Sequence, residues 1–189
     1  MNSALRYLYI LVLLQTRIST IYLTMTENKI FLLGAPKIGK STFGHLVSAF
    51  YSSPYSEEYI STCAVLVHYI RRPGGACALW DVGGHYDVKE LNTEDVGAVV
   101  LAYNPYSLYS CTFAEKNLDY VLKEMPNAKI VLAVFKYDLY EGSPSISSTF
   151  ASYTIASILK KAGSECARFN VSSKTGHGVE EMAVYLATL

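Results

Sequence analysis

The sequence predicts an α/β protein built on a mostly parallel six-stranded sheet, with one antiparallel edge strand and helices on both faces. Three observations predict it. Short β-type runs alternate with helix-type runs, the pattern of parallel strands joined by crossover helices. Two β-type runs, 64–70 and 76–81, are separated only by Arg-Arg-Pro-Gly-Gly, which reads as a hairpin turn and supplies the antiparallel strand. The polar, chemistry-bearing segments all follow strand ends, where open α/β sheets bind their ligands.

The elements follow in order. Lys29–Leu33 is a short apolar run and the first strand. Lys40–Tyr51 continues as a helix, and 52–59 is a loop rich in Ser, Pro and Tyr. Ala64–Ile70 and Ala76–Asp81 form the hairpin. Gly83–Glu94 is polar and expected to be mobile, with room for one further helix. Ala98–Tyr103 is unbroken apolar sequence, as a strand buried on both faces requires. Ser110–Glu124 is helical in pattern and Pro126 stops it. Lys129–Phe135 is a strand, Ser147–Ala162 a helix ending at Gly163, Ala167–Val171 the last strand and Val179–Leu189 the last helix.

The chain has 189 residues, enough for one domain with a full core, expected over 25–189. Its formal net charge is zero, so no electrostatic case exists for a nucleic-acid partner. The 16 tyrosines are scattered and form no stacking motif. The four cysteines have no C-x-x-C spacing and fit small apolar residues in a reducing compartment. Residues 1–24 carry an apolar run, Tyr7–Leu14, after Arg6. That run is too short to span a bilayer. It has three readings: a signal-peptide core, an interfacial helix, or a leader ahead of a natural start at Met25, the reading favoured here.

Residues 34–41, Gly-Ala-Pro-Lys-Ile-Gly-Lys-Ser, match G-x-x-x-x-G-K-S between a strand and a helix. This is a phosphate-binding loop and places the sheet in the P-loop NTPase class. Gly34 and Gly39 let the backbone curl so that successive N–H groups face a β-phosphate at a helix N-terminus. Lys40 bridges the β- and γ-phosphates, and the Ser41 hydroxyl ligates Mg²⁺. Trp80-Asp81-Val82-Gly83-Gly84 ends a strand, where Asp81 holds Mg²⁺ through water and the Gly84 N–H reaches the γ-phosphate. Thr62 offers a hydroxyl to the same ion. Lys136-Tyr137-Asp138 follows the strand at 129–135, and an Asp carboxylate there accepts two N–H groups from guanine. Ser172-Ser173-Lys174 follows the last strand and offers backbone N–H groups to the base.

These five segments, in this order, resemble the Ras-like small GTPases over residues 28–189. The likeness is closest to the Rab branch, through Tyr59-Ile-Ser-Thr62, while Val82-Gly-Gly84 is more Arf-like. The resemblance implies a Mg²⁺-dependent GTP/GDP-binding switch that slowly hydrolyses GTP and acts in vesicle traffic. It implies phosphate contacts from Lys37, Ile38, Gly39, Lys40, Ser41 and Thr42, and metal ligation by Ser41 and Thr62 with Asp81 in the outer shell. Tyr55 would lie against guanine and Tyr59 over the phosphates. Lys136, Asp138, Ser172, Ser173 and Lys174 would form the base site. Lys40, Gly84 and His85 would serve hydrolysis, and residues 52–64 and 82–95 would bind effector, exchange-factor and GTPase-activating proteins. A cytoplasmic monomer, peripheral at intracellular membranes, is expected.

The departures carry expectations too. Phe135 stands where the family has the Asn that bonds the purine and links the base loop to the phosphate loop, so Phe135→Asn is expected to tighten guanine binding. His85 replaces a water-orienting Gln, and Pro36 lacks an N–H. The chain has no terminal cysteine to prenylate, leaving membrane contact to the N-terminus or a partner. The alternative function is a nucleotide-weak pseudo-GTPase acting as an interaction scaffold. A P-loop ATPase or small kinase ranks last, because no arginine-bearing lid is found.

Overall fold

The computed structural model describes residues 28–48, 62, 64–73, 75–140, 150–163 and 166–189. Its elements are β1 (Asn28–Gly34), α1 (Lys40–Val47), β2 (Val65–Arg72), β3 (Gly75–Val82), β4 (Val96–Tyr103), α2 (Leu108–Glu124), β5 (Lys129–Phe135), α3 (Phe150–Ala162), β6 (Ala167–Val171) and α4 (Val179–Ala187). The leader, 1–24, lies outside the described residues.

Burial explains the sheet order β2-β3-β1-β4-β5-β6. Ala98 to Ala102 are all fully buried, because β4 sits centrally and both of its faces are covered. One face packs Ile30, Leu32 and Val100 against Phe43 and Val47 of α1 and Met182 and Leu186 of α4. The other packs Phe31, Val99 and Leu101 against Leu118 and Val121 of α2 and Ile158 of α3. Alternate residues of each strand thus feed opposite cores. A buried Leu or Ile side chain contributes about 1.5–3 kcal/mol of transfer free energy, so these two layers hold the sheet between them.

The fold class expected from the sequence is corrected by this sheet, which is mixed. β1 pairs in parallel with β3 and β4, but β2 pairs antiparallel with β3 from Val65↔Val82 to Arg72↔Gly75. The short turn after Arg72 reverses the chain and dictates that direction. The described residues hold four α-helices, and the further helix allowed for at 83–95 is only a 3-10 turn, Val88–Glu90. Asp87 caps that turn by accepting from the Lys89 amide, and the polar sequence around it buries too little apolar surface to extend it. One hairpin is enough to make the sheet mixed.

The closed end of the hairpin is clasped by α4. Arg72 Nε donates to Glu180 Oε1 at 2.8 Å. At Gly75 the backbone passes so near α4 that a Cβ would lie 1.9 Å from the Ala187 carbonyl oxygen.

The α1-facing side of β2 buries a histidine. His68 is 4% exposed, its Nε2 has no partner among the described residues, and its ring centroid lies 5.1 Å from that of His45. Burial, and then the neighbouring His45, pull its pKa down to about 4. The folded protein therefore holds His68 neutral where the unfolded chain protonates it. Between about pH 4 and 6.5 the unfolded state binds more protons, so stability rises with pH through that window and is flat above it. His68→Leu should reduce the stability lost between pH 7 and pH 4.5 by about 1–2 kcal/mol in urea unfolding. An unchanged loss would assign the acid sensitivity to other groups.

Candidate functional site

Parallel pairing sends β1, β3, β4, β5 and β6 to one edge of the sheet, and the loops that leave their carboxyl ends meet there. The loop after β1 turns through Lys37 at φ 65° and Gly39 at φ 104°, both left-handed. Glycine adopts that conformation without a Cβ penalty, which explains position 39. The Phe43 amide then donates to the Gly39 carbonyl at 3.0 Å and opens α1. The first-turn amides of α1, from Lys40 to Thr42, have no intrahelical acceptors and lie at the positive end of the helix dipole. Ile38 is buried beneath the loop.

Lys40 is only 6% exposed, and its Nζ donates to the carbonyls of Gly34 at 2.7 Å and Ala35 at 3.1 Å. Burial pulls its pKa down to about 8, and Asp81 opposes the shift. The ammonium is thus held at the loop with few competing water contacts. Such a group gains from any anion that enters.

Three oxygens converge beside it. Ser41 Oγ donates to Asp81 Oδ2 at 2.5 Å and lies 2.8 Å from Thr62 Oγ1. Asp81 is fully buried, and its Oδ1 has no partner among the described residues. Burial pushes its carboxyl up, while the Ser41 hydrogen bond and then Lys40 pull it back down. Two hydroxyls and one carboxylate, whose Oδ1 is unpartnered among the described residues, form a hard-oxygen donor set that fits Mg²⁺. Among the described residues no group of three His, Cys, Asp or Glu side chains converges, so a site for a softer metal is not indicated there.

The turn after β3 presses on the phosphate-type loop. The Gly83 amide donates to the Ala64 carbonyl at 2.7 Å. A Cβ on Gly84 would lie 2.3 Å from the Pro36 nitrogen, so this approach requires glycine. His85 is exposed one residue further on.

At the other end of the edge, Lys136 takes a left-handed φ of 60° and starts the 3-10 turn Tyr137–Leu139. Asp138 Oδ1 accepts from Ser172 Oγ at 2.6 Å, and Ser172 Oγ also accepts from the Thr175 amide at 3.2 Å. The loops after β5 and β6 are joined by this pair. Ser173 Oγ is buried and unpartnered among the described residues, while Lys136 and Lys174 are exposed.

The structure therefore brings Gly34, Lys37, Ile38, Gly39, Lys40, Ser41 and Thr42 into one loop and helix start, with Thr62, Asp81 and Gly84 against it. It joins Asp138 to Ser172 within a second cluster. Tyr55 and Tyr59 lie outside the described residues. Two contacts were not foreseen from sequence. Tyr137 stacks on His177 with centroids 4.8 Å apart, and Phe135 packs edge-on to Phe43 at 5.7 Å. Nothing local to either sequence segment announces such pairs.

No family model matches the chain, and no curated protein matches it. Among the described residues no helix is long and apolar enough to cross a membrane.

Proposed function

We propose that this chain is a guanine-nucleotide-binding switch of Rab-like character that takes up GTP or GDP with Mg²⁺ and slowly hydrolyses GTP. One observation carries the reading: adjoining strands deliver Lys40, the Ser41–Thr62–Asp81 oxygens and the Asp138–Ser172 pair to the same edge of the sheet.

The chemistry follows from what each residue offers. Lys40 exchanges its bonds to the Gly34 and Ala35 carbonyls for phosphate oxygens, and the anion restores the stability of its charged form. The first-turn amides of α1 supply further donors fixed in place before the ligand arrives. Mg²⁺, when bound, offsets phosphate charge, and Ser41, Thr62 and Asp81 are the residues that would hold it. The Gly84 amide is offered to the terminal phosphate. The exposed His85 ring orients a water in line with that phosphate. Asp138 accepts the two guanine N–H groups, with Ser172 fixing its carboxylate. Thr62 links the ion to residues 52–64, and Gly84 links the phosphate to residues 82–95. Effector, exchange and GTPase-activating proteins would read those segments. The setting proposed is the cytoplasmic face of intracellular membranes in vesicle traffic, with membrane contact through residues 1–24 or a partner.

A scaffold without nucleotide is the second reading, favoured by the press of Pro36 on Gly84 and by the apolar Phe135 in the base loop. Calorimetric titration of the full chain with GDP, a GTP analogue and ATP, with and without Mg²⁺, separates the two. The switch expects nanomolar to micromolar guanine binding, strengthened by Mg²⁺, and no comparable ATP binding. Absence of binding by all three would leave the scaffold, and an ATP preference would overturn the base assignment.

A further inference from the structure

We propose that Phe135 is a positioning residue, an apolar staple that locks the loop after β1 to the loop after β5. Its relevance to nucleotide rests on the function proposed above, but the staple itself does not.

The residue faces two ways. Its ring is 1% exposed and meets Phe43, in the first turn of α1, edge-on at 75°. Phe135 Cδ1 is also the nearest atom to the place a Gly39 Cβ would occupy, at 3.6 Å. The ring thus fills the joint where the left-handed Gly39 hands over to α1. The backbone of Phe135 ends β5, paired with Val171 of β6, where the other loop begins. Its carbonyl accepts from Tyr140 Oη at 3.4 Å, and Tyr140 is itself 2% exposed. One residue on, Lys136 begins the turn that carries Asp138. A single residue therefore has its side chain against the end of one loop and its main chain at the start of the other.

Such a link is physically unlike a hydrogen-bonded one. It is non-directional, excludes water and depends on shape. An amide placed in this socket would fill less of it and would have to trade the contact with Phe43 for hydrogen bonds from the two loops. The expectation that Phe135→Asn tightens guanine binding is accordingly revised: the polar residue should loosen both loops.

The test is amide hydrogen exchange on the full chain, first without nucleotide. Phe135→Ala should accelerate exchange at the hydrogen-bonded amides of Phe43, Leu139 and Tyr140 together, by at least about tenfold, while the β2–β3 ladder and α4 keep their rates. Phe135→Leu, which keeps apolar volume, should stay within about threefold of the parent. If Phe135→Ala does not fold, Phe135→Val supplies the same comparison. Unchanged exchange at the Phe43 amide, acceleration spread over the whole molecule, or a Phe135→Leu no better than Phe135→Ala would each overturn the staple. Adding GDP then tests the other reading separately. Protection of both loops in the parent, with faster GDP release from Phe135→Ala, supports the two together. A parent blind to GDP refutes the nucleotide reading while the nucleotide-free pattern still decides the staple.

Discussion

Replacing Lys40 with alanine is expected to lower affinity for GDP and GTP by at least about a hundredfold. A charge-assisted hydrogen bond contributes about 1.5–3 kcal/mol, and one ammonium shared between two phosphates reaches the upper part of that range. About 3 kcal/mol corresponds to roughly two decades in affinity. The variant also abandons the carbonyls of Gly34 and Ala35, which lose their buried donor. A modest fall in stability, about 1 kcal/mol, should accompany the lost affinity. Lys40→Arg is the informative control. It retains charge, but its longer, planar group does not fit a pocket this enclosed, so it should rescue little. Titration against GDP, alongside urea unfolding of the same samples, separates lost grip from lost fold. If affinity fell less than about fivefold, the loop after β1 would not be the phosphate grip.

The second large effect is one of selectivity. Asp138→Ala is expected to erase at least about tenfold of the preference for GDP over ADP, since each hydrogen bond to a charged acceptor is worth about 1.5–3 kcal/mol. Ser172→Ala keeps the carboxylate and removes only its tether at 2.6 Å, so its effect on the ratio should be smaller. The ratio, measured by competition, is insensitive to a general loss of stability that weakens both nucleotides alike. A ratio unchanged in Asp138→Ala would remove the guanine assignment and leave the phosphate end intact.

Some of this was legible in the sequence, and the reason is locality. The unbroken apolar run at 98–102 announces a strand covered on both faces, and all five residues are fully buried. The spacing Gly34 to Ser41 announces a tight loop feeding a helix, because Gly39 and Lys40 act on their own neighbours. Other features depend on residues far apart in the chain. Phe135 reads simply as the end of an apolar strand; only folding places it beside Phe43. His68 sits between half-buried Val67 and exposed Tyr69 in β2, and its burial against α1 depends on residues far from its own segment. The hairpin is local, marked by Arg-Arg-Pro-Gly-Gly, and it alone makes the sheet mixed; the short polar stretch at 83–95 carries too few apolar residues to fix a helix. The Ser41–Thr62–Asp81 convergence was foreshadowed by motif position; the distances required the sheet.

The clasp between Arg72, Gly75 and α4 gives the β2–β3 ribbon a fulcrum. Eight residues per strand at about 3.3 Å each make an arm roughly 25 Å long. Its far tip carries Val65 and Val82, next door to Thr62 and Gly84. β3 is also bonded to β1 from Cys77 to Asp81, so the arm is braced along most of its length as well as pinned at its closed end. Bracing of this kind keeps the approach of Gly84 to Pro36 in register with the rest of the sheet.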